Sequence, residues 1–157
     1  MGSFGHFSDD GLEYIITDPH TPRDWFNFFW NGTYLACTSQ HGNGMSLYQN
    51  DAGVVTNLFG KQDMREDPRW IYLRDNQTGE VWSATFLPCF TEPDEFECRH
   101  GLGYTVIRSV SHGIEVTFRL FVPRRWAGEC WTIHIRNVSR RQRDISEQVD
   151  VGWQWPI

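Results

Sequence analysis

The chain has 157 residues, enough for one domain with a packed interior, because a chain of about 150 residues buries roughly 70% of the surface it exposes when unfolded. A composition of 39% hydrophobic and 22% charged residues excludes a disordered tail, and no apolar run approaches the ~18 residues of a membrane-spanning helix. A net charge of -6, from 14 Lys+Arg against 20 Asp+Glu, argues against a nucleic-acid partner, which needs a basic surface to neutralise phosphates.

In chain order, short β-rich runs are predicted at residues 14–17, 33–39, 45–49, 54–59, 69–75, 80–85 and 102–110. They are separated by turn chemistry: Asn31-Gly32, Gly42-Asn43-Gly44, Asp75-Asn76-Gln77-Thr78-Gly79 and His112-Gly113. Periodicity is clearest over 113–123, where Val116, Phe118, Leu120 and Val122 alternate with Glu115, Thr117 and Arg119 as one buried face of a strand requires. Trp131, Ile133 and Ile135 repeat the pattern, and so do Ile145, Val149, Val151, Trp153 and Trp155, which predicts three successive antiparallel strands. No segment carries a sustained apolar stripe of helical period. About ten short strands with almost no helix predict an all-β antiparallel sandwich or barrel. Residues 151–157 end on an apolar run with two tryptophans, and an unpaired edge of that kind predicts that the sandwich is incomplete at its C-terminus.

The first residues have neither a basic nor an apolar leader segment, so the expected location is the cytoplasm. The four cysteines, Cys37, Cys89, Cys98 and Cys130, form no CxxC pair and are expected as reduced, mostly buried thiols. The six histidines show no HxH or HxxxH spacing, so neither a metal nor another cofactor is expected. Arg124, Arg125, Arg140, Arg141 and Arg143 fall in predicted turns and read as a solvated face. The 8 Trp, 11 Phe and 5 Tyr could fill a sheet core or form flat platforms for sugar rings, and composition alone leaves both open.

Several stretches, taken in order, carry a resemblance. They are Glu13-Tyr14-Ile15-Ile16-Thr17-Asp18-Pro19-His20-Thr21-Pro22-Arg23-Asp24-Trp25, Gly42-Asn43-Gly44-Met45-Ser46-Leu47-Tyr48, Ile71-Tyr72-Leu73-Arg74-Asp75 and Gly79-Glu80-Val81-Trp82-Ser83-Ala84-Thr85. Glu97-Cys98-Arg99-His100-Gly101-Leu102-Gly103-Tyr104-Thr105, Gly113-Ile114-Glu115-Val116 and Phe121-Val122-Pro123 complete the set. Together they resemble the N-terminal domain of glycoside hydrolase family 94, the inverting disaccharide phosphorylases and the related cyclic β-1,2-glucan synthases. The resemblance implies a super-sandwich of the galactose mutarotase type, followed in the whole enzyme by an (α/α)6 barrel that carries the general acid. It further implies inorganic phosphate as co-substrate of the parent enzyme, a disaccharide or oligosaccharide as partner, and a homodimer. On this reading the chain is a non-catalytic carbohydrate-binding and scaffolding domain, truncated before its barrel. The alternative is a stand-alone carbohydrate-binding module that stacks sugars on aromatic side chains.

Inverting phosphorolysis needs one carboxylic acid to protonate the departing oxygen while phosphate attacks the opposite face. Asp94, Glu95 and Glu97 are clustered carboxyls, but their segment reads as a solvated loop entering a strand. Arg99, His100 and Tyr104 are the candidate substrate-binding residues. Two glycines beside them let a partner approach closely, and the three side chains offer planar donors and an aromatic face. The resemblance places this motif toward the barrel's entrance. The run from Asp18 to Trp25 is expected to be a rigid turn closed by an Arg23–carboxylate pair over a buried Trp25. The polar loop Gln40-His41-Gly42-Asn43-Gly44 has the composition of a mobile lid.

Overall fold

A computed structural model of the chain describes residues 4–50, 53–58 and 69–151. The described residues form thirteen strands: β1 (Gly5–Phe7), β2 (Glu13–Ile16), β3 (Asn27–Trp30), β4 (Tyr34–Thr38), β5 (Gly44–Asn50), β6 (Gly53–Leu58) and β7 (Arg69–Asp75). They continue as β8 (Val81–Ser83), β9 (Glu95–Gly101), β10 (Tyr104–Ser111), β11 (Ile114–Phe121), β12 (Cys130–Asn137) and β13 (Ile145–Val151). Three antiparallel sheets result, with orders β1-β2-β9-β10-β11-β12, β3-β4-β5-β6 and β13-β7-β8. This is the expected all-β sandwich. Phe59, Trp153 and Trp155, assigned to strands by their pattern, lie outside the described residues.

One core joins all three sheets. Ile16, Cys98, Ile107, Ile114, Val116, Phe118 and Leu120 line the inner face of the six-stranded sheet, and Phe29, Ala36, Ile71, Leu73 and Trp82 meet them from the two smaller ones. Alternation decides the face. On β10, Ile107 and Ser109 point inward while Arg108 points out, and the Ser109 hydroxyl donates to the Ala84 carbonyl, so a polar inward position is satisfied rather than stranded. The β10–β11 turn is His112-Gly113, both with positive φ (52° and 75°), the backbone that a two-residue hairpin with the right-handed strand twist requires.

Two expectations about strands are corrected. The three C-terminal strands do not run in succession: β12 pairs with β11, but β13 crosses to β7 in another sheet. The crossing is anchored by Arg143, expected in a solvated turn but with only 3% of its side chain exposed, whose Nε and Nη2 bond to Asp75 Oδ2 at 3.1 and 2.7 Å. The carboxyls of Glu95 and Glu97 lie on β9, not on a loop, because each completes an outward ion pair, with Arg108 and Arg99 respectively. The outer face of the six-stranded sheet is thus a ladder of charges in which Glu115 is held between Arg108 and Arg136. Of the cysteines, Cys37 and Cys98 are buried as expected, Cys130 is half-buried and Cys89 is exposed.

The sheets are tied together by Arg69 at the start of β7. Its guanidinium is 1% exposed and donates to the Cys37 carbonyl on β4 (2.9 Å), Ser46 Oγ on β5 (3.0 Å) and Glu129 Oε2 ahead of β12 (2.9 Å). It also lies 5.9 Å from the Trp131 ring centre. Removing the carboxylate leaves a buried cation without its counter-charge, which costs several kcal/mol. Glu129→Ala is therefore expected to lower unfolding stability by about 3 kcal/mol in urea titrations; a loss below about 1 kcal/mol would show that the pair does not tie the sheets.

Candidate functional site

The Arg99-His100-Tyr104 corner is built by β9 and β10 joined through the two-residue turn Leu102-Gly103, where Gly103 takes the positive φ (86°). Successive residues face opposite ways, so the corner splits. Arg99 and Tyr104 lie on the outer face; His100 points inward beside Thr105, its cross-strand partner. Tyr104 folds over Gly101, where any Cβ would collide with its ring. Its hydroxyl donates to Glu13, and Arg99 Nη1 reaches the same carboxylate at 2.8 Å while its Nε bonds Glu97 at 2.6 Å. The Tyr104 and Arg99 hydrogen bonds hold the Glu13 carboxyl below its ordinary range, and Glu13 in turn raises the Tyr104 hydroxyl.

His100 is committed on both nitrogens. Nε2 lies 2.9 Å from the Trp25 carbonyl, which can only accept, so Nε2 carries the proton; Nδ1 then accepts from Thr105 Oγ1 at 2.8 Å. Burial pushes the imidazole down to about 4, outweighing the bond to Trp25, and keeps it neutral. The three side chains are therefore neighbours, but their polar atoms hold β2, β9, β10 and the segment leading into β3 in place.

Arg99 also borders a shallow polar depression with Glu13 and residues 6–10, but the cleft that combines aromatic and polar groups lies elsewhere. Residues 17–26, between β2 and β3, and residues 84–94, between β8 and β9, enclose a cleft of about 400 Å³ lined by Pro19, His20, Thr21, Arg23, Asp24, His41, Phe86, Leu87, Pro88 and Phe90. One wall is aromatic: His20 meets Phe86 edge-on at 4.6 Å, and Phe86 meets Phe90 edge-on at 5.6 Å. Phe90 is 68% exposed and has a positive φ of 55°, a backbone state that disfavours a bulky side chain by about 1–2 kcal/mol. The surrounding loop thus holds an aromatic ring in water against its own preference. His20 Nε2 bonds Glu92 at 3.0 Å and links the two loops.

The floor of the cleft overturns the lid expectation. Gln40, His41 and Asn43 are buried, not exposed on a loop tip. Gln40 Oε1 accepts from the Trp25 amide (2.9 Å) and its Nε2 donates to Thr21 (2.6 Å), so a buried amide pins the 17–26 loop. Asn43 Nδ2 donates to Asp24 Oδ2 at 3.1 Å, and His41 Nε2 lies 3.8 Å from Asp24 Oδ1. The expected Arg23–carboxylate pair is absent among the described residues: Arg23 is exposed at the cleft, and the 17–26 turn is closed by Gln40 instead. Trp25 is half-buried, packed on Tyr14 with ring centres 5.6 Å apart.

The loop of Phe86, Leu87, Pro88 and Phe90 escaped the sequence reading. Its one signal is the density of aromatic residues and proline directly after Trp82. The partner loop lies more than sixty residues earlier, and no local pattern shows that the two meet.

The profile of the glycosyl hydrolase 94 supersandwich domain matches residues 12–148, almost the whole of this architecture. The chain belongs to that family. As a family 94 supersandwich it is 39% identical over 145 residues to 3-O-beta-D-glucopyranosyl-beta-D-glucuronide phosphorylase of Paenibacillus borealis, covering 92% of this chain and 18% of the relative. It is 34% identical over 146 residues to N,N'-diacetylchitobiose phosphorylase of Vibrio furnissii, covering 91% and 18%. A more distant relative is the cyclic beta-(1,2)-glucan synthase of Rhizobium meliloti, 27% identical over 146 residues, covering 90% and 5%. The chain thus spans less than a fifth of the length of these curated relatives. Among the described residues no helix is long and apolar enough to cross a membrane.

His100 gives the supersandwich a pH signature. Its folded value near 4 lies below the ordinary 6.5, so between these values the unfolded chain binds the extra proton, and stability present above pH 6.5 is lost as the pH falls toward 4. The full loss from this group is about 3 kcal/mol. His100→Gln should flatten that limb of a plot of unfolding free energy against pH, whatever it does to stability at pH 7. An unchanged slope would mean that His100 is not the buried neutral group described.

Proposed function

We propose that this chain is the carbohydrate-contacting, scaffolding supersandwich of an inverting disaccharide phosphorylase, and that the acid of the reaction comes from outside it. The whole protein would transfer a glycosyl group to inorganic phosphate in the cytoplasm. A helical barrel of the same protein would supply the chemistry, and two copies would associate. The match to phosphorylases over this domain supports the reading.

The observation that carries the non-catalytic role is the state of the carboxyls. A general acid must be protonated and open to the departing oxygen. Burial raises Glu129 more than the neighbouring Arg69 lowers it, but this carboxyl is enclosed between Arg69 and Trp131 and cannot meet a substrate. Asp24, in the cleft, is occupied by Asn43 and faces His41; Glu13, Glu97 and Glu115 are locked to arginines. Arg99, His100 and Tyr104, proposed from the sequence as sugar contacts, support such contact only through the outer edges of Arg99 and Tyr104, since His100 faces inward.

The 157-residue chain incubated with cellobiose or chitobiose and phosphate should release no sugar 1-phosphate above a protein-free control. Turnover that survives repurification of the chain would place the acid inside this domain and overturn the reading.

A further inference from the structure

The proposal that this domain meets carbohydrate leaves the place of contact to be found, and the inference here rests on that proposal. The depression beside Trp30, Leu102 and Arg124 has an exposed tryptophan and is braced by the half-buried Asn31, but its lining holds neither a carboxylate nor an imidazole. The cleft between residues 17–26 and 84–94 differs in having aromatic and charged groups together in its lining, with Thr21 and Asp24 held from beneath by the buried amides of Gln40 and Asn43.

We propose that this cleft binds one uncharged pyranose ring, its apolar face on Phe90 and its hydroxyls shared among Arg23, Asp24 and His20. Phe90 stands 68% exposed with Phe86 packed against it edge-on, which leaves a ring face for the axial C–H groups of a sugar. The cleft also carries a guanidinium that only donates, a carboxylate that only accepts and the His20 imidazole, whose Nε2 is taken by Glu92 and whose Nδ1 is left for a ligand. A hydroxyl both donates and accepts, so a polyol satisfies the whole set. A sugar carboxylate would lie near Asp24 and Glu92 with Arg23 alone to offset them, so the cleft favours a neutral ring over an acidic one. The size of the cleft, about 400 Å³, falls within the range of small-molecule sites and suits a single ring better than an extended chain.

The test is a titration of the nitrogen-15-labelled chain, followed by amide chemical shifts, with glucose, cellobiose and glucuronic acid at pH 7. Saturable shifts confined to residues 18–24 and 84–92 are expected, with a Kd for glucose in the range of about 1–10 mM. Glucuronic acid should bind at least about threefold more weakly. Phe90→Leu, which keeps apolar bulk but removes the ring face, should weaken glucose at least about threefold, whereas Trp30→Ala should not. Shifts centred on Trp30 and Trp126, equal binding of glucuronic acid, or no saturation in a chain whose spectrum is dispersed would each overturn the cleft as a neutral-sugar site. None of these results would restore turnover, so the phosphorolysis assay judges the non-catalytic reading separately.

Discussion

A polar group removed from water must find a partner, and in this chain that demand fixes how the sheets meet. Apolar residues alone make the three sheets stick, but many relative placements would bury the same Ile, Val and Phe side chains. Three buried polar links leave far fewer. Arg69 joins β4, β5 and the approach to β12; Arg143 and Asp75 bring the β12–β13 connection onto β7; Gln40 and Asn43 hold the 17–26 loop above the β4–β5 turn. Each is a directional contact spanning fifteen or more residues, and the cleft is a consequence of the third.

The same polar seam explains what was legible in the sequence. Strands β11 and β12 follow from period-two alternation, because apolar inward residues alternate with charged or polar ones such as Glu115, Thr117, His134 and Arg136, whereas β10 shows only as a β-rich run, with Thr105 and Ser109 facing inward and Val106 outward. β7 is recovered at its full length. By contrast, β3 reads Asn27-Phe28-Phe29-Trp30, with aromatic residues on both faces, so no alternation marks it although Phe29 alone is buried. β1 is only three residues long, too short for a period. β9 starts in a cluster of carboxyls that look solvated until Arg108 and Arg99 stand across from them. Gln40, His41 and Asn43 have the composition of a surface loop, and their burial depends on partners at Thr21, Asp24 and Trp25 that only the fold brings near.

The candidate site was legible in part. The Arg99-His100-Tyr104 motif is a real constellation, but its chemistry is directed at Glu13, Glu97, Thr105 and the Trp25 carbonyl, and thereby at the loop that lines the cleft. A motif of planar donors beside glycines has the same composition whether it grips a ligand or its own backbone. The abundance of aromatic residues likewise divides: Trp82 and Phe118 fill the core, while Phe90, Trp30 and Trp126 are exposed.

Whether the buried polar seam truly organises the cleft is decided most directly by native-state amide hydrogen exchange at the β4–β5 turn. Ser39 donates its amide to the Asn43 carbonyl, Gly42 to the Ser39 carbonyl and His41 to Ser39 Oγ, all beneath the 17–26 loop. The account predicts that these three amides exchange as slowly as the paired amides of β10 and β11, in one cooperative unit with the core. Exchange at the rate of an exposed loop would contradict it, and would return the 40–44 segment to the role of a mobile lid.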